Sequence, residues 1–64
     1  MPAKFPFISA DIVYSPDDGG WYARTFLWRS VDQFLDGDES PILDSKAEAL
    51  LWAKQCGATV FLYP

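Results

Sequence analysis

Hydrophobic and polar positions alternate from Phe7 to Tyr14, FISADIVY. Ile8, Ala10, Ile12 and Tyr14 share one face, and Phe7, Ser9, Asp11 and Val13 share the other. A period of two predicts a strand. Pro6 suits its start, where no ladder donor is needed. Trp21 to Arg29, WYARTFLWR, is rich in aromatic and β-branched residues and predicts a second strand. The six residues between them, SPDDGG, carry turn chemistry. Pro16 presets φ, Asp17 and Asp18 tolerate turn geometry, and a glycine supplies positive φ. The two carboxylates and two glycines therefore predict a hairpin turn and need no bound ligand to explain them.

The register follows from charge. If Tyr14 faces Trp21, then Ile12 faces Ala23, Ala10 faces Thr25 and Ile8 faces Leu27. On the reverse side Asp11 then falls opposite Arg24, a complementary cross-strand pair. A slip of one residue would send Arg24 to the other face and lose that pair.

Ser45-Lys46-Ala47-Glu48 has the S-x-x-E pattern of a capping box. It predicts a helix running to about Cys56 and stopping at Gly57, a residue suited to the left-handed conformation. Ala49, Trp52, Ala53 and Cys56 form its apolar stripe, which Leu50 and Leu51 widen. Ala58 to Tyr63, ATVFLY, predicts a final strand. Between Ser30 and Leu43 the pattern is weakest. Ser30-Val31-Asp32-Gln33 resembles a capped helical turn closing at Gly37, and Ser40 to Leu43 a short strand. The order β-β-(β)-α-β predicts one α+β domain over residues 1–64, with one helix on one face of a small, mainly antiparallel sheet.

Composition changes this picture in two ways. A chain of 64 residues buries only about 60% of its unfolded surface, yet three Trp, three Tyr and five Phe supply large apolar area at low rotamer cost. The net charge is −4, from nine acidic against five basic residues. Lys4, Arg24, Arg29, Lys46 and Lys54 are dispersed, so direct binding to nucleic acid is disfavoured. Asp32, Asp36, Asp38, Glu39 and Asp44 instead cluster in a segment with no base. They form either a solvated loop or a negative patch that docks on a basic partner. The single Cys56 excludes an internal disulfide and fits a reducing compartment. No apolar run reaches the length of a membrane span or a signal peptide core. These features predict a cytosolic chain that is complete from Met1 to Pro64.

Candidate chemistry is sparse. There is no histidine, which removes the usual general base, zinc ligand and nucleophile partner. Cys56 falls at a helix C-terminus, where the dipole disfavours thiolate. Asp32, Asp36, Asp38 and Ser40 partly mimic a calcium loop, but Phe34 and Leu43 occupy two ligand positions. Gly19-Gly20 precedes no helix, so it aims no helix N-terminus at a phosphate. No catalytic residue, metal ligand or cofactor is assigned.

The predicted register leaves Phe7, Val13, Tyr22, Phe26 and Trp28 on the face away from the helix, broken only by Ser9, Asp11 and Arg24. One helix cannot cover both faces. Either Phe34, Leu35, Ile42 and Leu43 fold back over this face, or it meets a homodimer partner or another protein. The candidate partner-binding residues are Phe7, Asp11, Tyr22, Arg24, Phe26 and Trp28 on the face. Asp32, Asp36, Asp38 and Glu39 form the acidic rim. The expectation is a non-enzymatic interaction module: a small regulator or phage-encoded inhibitor that blocks a basic surface.

The order GGWYA, a loop, then the DSKAEAL helix resembles HicB-type antitoxin domains. That resemblance implies a strand-strand-strand-helix-strand module that oligomerises and binds a cognate toxin. The proline-and-glycine motif of those domains is replaced by Thr25-Phe26-Leu27-Trp28-Arg29-Ser30, and no separate DNA-binding segment is present.

Overall fold

The structure, a computed structural model, describes residues 4–63. Four strands and one helix follow in the order β1 (Phe7–Ser15), β2 (Gly20–Ser30), β3 (Gln33–Glu39), α1 (Lys46–Gln55) and β4 (Val60–Leu62). The β1–β2 hairpin has the predicted register: Tyr14 pairs Trp21, Ile12 pairs Ala23, and Asp11 pairs Arg24. Its turn is held by the Ser15 carbonyl, which accepts from the Gly19 N–H at 2.9 Å. The Ser15 hydroxyl donates to Asp18 Oδ2 at 2.8 Å. Gly19 adopts φ +67°, the left-handed geometry a glycine tolerates without a Cβ clash.

The Ser30 to Leu43 segment differs from expectation. No helical turn forms at Ser30–Gln33. Instead Val31 and Asp32 make a tight turn, and β3 returns antiparallel along β2. The third strand is thus Gln33–Glu39 and not Ser40 to Leu43, where only an isolated bridge joins Leu43 to Trp21. The segment does not fold back over the outer face. Its backbone pairs along the edge of β2, so it widens the sheet.

The sheet order is β3-β2-β1-β4. β4 lies parallel to β1, so β3 and β4 run in the same direction at opposite edges. The chain between them must cross the sheet on one side. α1 is that crossover, packed over β1 and β2. Its N-terminus is capped as predicted, with the Ser45 hydroxyl accepting from the Glu48 N–H at 3.1 Å. The Glu48 carboxylate reaches back one residue further than a standard box, to the Asp44 N–H at 3.3 Å. Gly57, at φ +93°, ends the helix after the Cys56 cap.

The contact between helix and sheet is built from methyl groups. Ala49 and Ala53 on α1 meet Ala10 on β1 and Ala23 on β2, all fully buried, and Ile12 is the largest side chain wholly enclosed. Trp21, Leu43, Leu50, Trp52 and Phe61 ring this contact. A larger group at its centre has no void to enter, because interiors are close-packed. Ala53→Leu should therefore lower stability by about 1–3 kcal/mol through overpacking. The exposed Leu51→Ala should change it by about 0.5 kcal/mol or less. Urea denaturation monitored by circular dichroism measures both.

Candidate interaction surface

The strand pairings set the outer face in rows that cross the sheet. One row reads Phe34, Trp28, Phe7 from β3 to β1. The next reads Asp36, Phe26, Ser9, Val60, and the third Glu39, Arg24, Asp11, Leu62. Tyr22 and Val13 make the fourth. No element among the described residues packs over these rows.

The aromatic rings form a connected system. Phe7 stacks with Trp28 at 6.2 Å between centroids, Trp28 meets Phe34 at 4.7 Å, and Phe34 meets Phe26 edge-on at 5.7 Å. Phe5 extends it beyond the start of β1, at 5.3 Å from Phe7. Such contacts add to area burial in fixing ring orientation. The Trp28 indole N–H donates to the Ser9 hydroxyl at 2.9 Å, so the indole leans across Ser9, which is only 5% exposed. The polar interruption thus lies beneath the aromatic layer and is satisfied there. Between the rings and Leu62 is a shallow hollow of about 230 Å³ lined by Ser9, Asp11, Phe26, Trp28, Phe34 and Leu62.

The expected face residues Phe7, Asp11, Tyr22, Arg24, Phe26 and Trp28 are brought together. Arg24 reaches Asp11 at 3.7 Å and lies 5.7 Å from the Phe26 ring centre. The four acidic residues are split. Asp36 and Glu39 join the face at its β3 margin through their pairing with Phe26 and Arg24. Asp32 lies in the β2–β3 turn, where it accepts from the Ser30 hydroxyl at 2.9 Å. Asp38 belongs to a bulge. Its N–H donates to Thr25 Oγ1 at 2.7 Å, and that hydroxyl donates back to the Asp38 carbonyl at 3.1 Å. Gly37 permits this close approach, since a Cβ there would sit 2.5 Å from Thr25 Oγ1.

Three face residues escaped the sequence reading: Phe34, Val60 and Leu62. Phe34 was expected to cover the face and instead forms part of it. Val60 and Leu62 flank the inward Phe61, and that alternation was the signal available. Gln33 to Glu39 is extended and so does not curl into a chelating loop. No group of three or more His, Cys, Asp or Glu side chains converges as metal ligands among the described residues. No helix among them is long and apolar enough to cross a membrane.

Arg24 and Asp11 are 48% and 29% exposed, so their attraction is screened by solvent. A double-mutant cycle with Asp11→Asn and Arg24→Gln should give a coupling of about 0.2–1 kcal/mol in urea denaturation. A coupling near zero is the result at high salt.

No protein family, curated protein or solved structure matches the chain, so the surface itself carries the functional reading.

Proposed function

We propose that the protein is a non-enzymatic protein-interaction module, acting in the cytosol as a small regulator or inhibitor. Its outer sheet face makes the contact, and the acidic β3 margin favours a basic partner. The observation that carries this reading is the one-sided crossover: α1 covers one face of the sheet and leaves a connected aromatic layer on the other. Trp, Tyr and Arg are the residues that dominate binding hot spots, and Trp28, Tyr22 and Arg24 share this face. Asp36, Asp38 and Glu39 add a negative field that speeds encounter with a positive surface. The absence of histidine and the spread of carboxylates along an extended strand support a binding role over catalysis.

A second reading is an antitoxin-like module that holds a cognate toxin. The element order β-β-β-α-β favours it, since it is the order the resemblance implies. The product of an adjacent toxin gene, neutralised on co-expression, is its distinguishing sign.

Affinity capture from the native host tests the main reading with three baits: wild type, Phe34→Lys, and a triple variant Asp36→Lys, Asp38→Lys, Glu39→Lys. Wild type should retain a basic protein that both variants lose. Retention of the same protein by all three baits would reject the surface.

A further inference from the structure

We infer that the aromatic face is self-complementary, and that its occupant is a second copy of this chain. The two copies pack sheet on sheet about a two-fold axis that runs along the strands, midway between β1 and β2. This inference rests on the reading of the outer face as an association surface.

The rows make the case. A two-fold along the strands lays each row on itself in reverse order, so β2 faces β1 of the other copy and β3 faces β4. In the third row, Arg24 of each copy falls over Asp11 of its partner, and this happens twice by symmetry. Each surface ion pair becomes part of a four-charge cluster at the centre of the contact. The acidic residues Asp36 and Glu39 fall over Val60 and Leu62, at the rim and away from other carboxylates. In the other rows Tyr22 falls over Val13, Trp28 over Phe7, and Phe26 over the Trp28 indole that covers Ser9. The hollow between Phe26, Trp28 and Leu62 lies across the same line.

Charge also excludes the other in-plane axis. A two-fold running across the strands would set β3 on β3 and β2 on β2. With the axis between their rows, Asp36 of each copy would then approach Glu39 of the other. Like charges placed opposite one another across an interface cost several kcal/mol. The aligned arrangement also suits the twist of both sheets, which pack about 30° apart at about 10 Å.

The contact is modest in size. Four strands at about 4.8 Å spacing, and Phe7 to Val13 at about 3.3 Å per residue, give a platform of about 19 by 20 Å. That is about 380 Å² of platform per copy, about 760 Å² for the pair, below the roughly 1,200 Å² at which standard interfaces begin, so the dimer is a weak one. In the dimer the aromatic layers are buried against each other, so a second copy and a basic partner compete for this face.

Sedimentation equilibrium carried up to about 1 mM tests this, a concentration that populates a weak dimer. Wild type should show a mass twice the chain's 7.2 kDa. Asp11→Arg alone and Arg24→Asp alone should each weaken the dimer about tenfold or more, because each sets like charges across the axis. Mixing the two variants should restore the dimer, since each copy then supplies the charges its partner lacks. Circular dichroism shows whether each variant is folded before mixing. A wild-type monomer overturns the inference, and so does a dimer that neither single variant weakens or that mixing fails to restore. A monomer whose capture of a basic protein still depends on Phe34 rejects the second copy and leaves the interaction reading standing. A monomer whose capture ignores both face and acidic substitutions rejects both.

Discussion

The methyl-on-methyl contact between α1 and the β1–β2 hairpin is the constraint on which the rest of the structure depends. Ala49 and Ala53 lie against Ala10 and Ala23 with no larger group between them. This brings the helix backbone close to the sheet and leaves no volume there for aromatic side chains. The chain nevertheless carries eleven Phe, Tyr and Trp residues. Some ring the contact, as Trp21, Trp52 and Phe61 do, Tyr14 packs against Trp21 on the same side, and Phe7, Tyr22, Phe26, Trp28 and Phe34 occupy the far side of the sheet. A small domain usually concentrates its large apolar groups in its core to offset chain entropy. Here Phe7, Tyr22, Phe26 and Trp28 are only half-buried on the side of the sheet away from the helix, and Phe34 is exposed.

Edges and faces of the sheet are treated differently. β3 has register irregularities on both sides of its regular stretch, at Trp28–Ser30 and at Arg24–Phe26. It also carries Asp36, Asp38 and Glu39. Bulges and charges are the devices that keep an edge strand from pairing with another chain. β4, at the opposite edge, is only three residues long. The edges are thus blunted while the outer face carries a continuous aromatic layer. That contrast disfavours strand addition at either edge and leaves side chains as the accessible part of the sheet.

The β1–β2 hairpin was legible because three signals agreed: period-two alternation, turn residues and the Asp11–Arg24 pair. The helix was legible from Ser45 and Glu48 at its start and Gly57 at its end. β3 was hidden because Gly37 and the bulge beside it interrupt the alternation that marks a strand, and because acid-rich composition reads as a loop. The place of β4 was hidden for another reason. Its partner is set by the direction of the crossover, a property of the whole chain that no local window contains. Eight face residues were therefore visible from the hairpin alone, whereas the place of Val60 and Leu62 beside them required the topology.

The hydrogen bond from Trp28 to Ser9 has a consequence for the timing of entropy loss. A free surface tryptophan samples several rotamers and must surrender them on contact, at about 0.5–1.5 kcal/mol for an immobilised side chain. The Ser9 hydroxyl, held on a buried backbone position, already selects one orientation of the indole. Folding has absorbed that loss before any encounter begins. The largest ring on the face is presented as a rigid, preset shape, and on the proposed reading a partner would fit a template more than meet a closing hand.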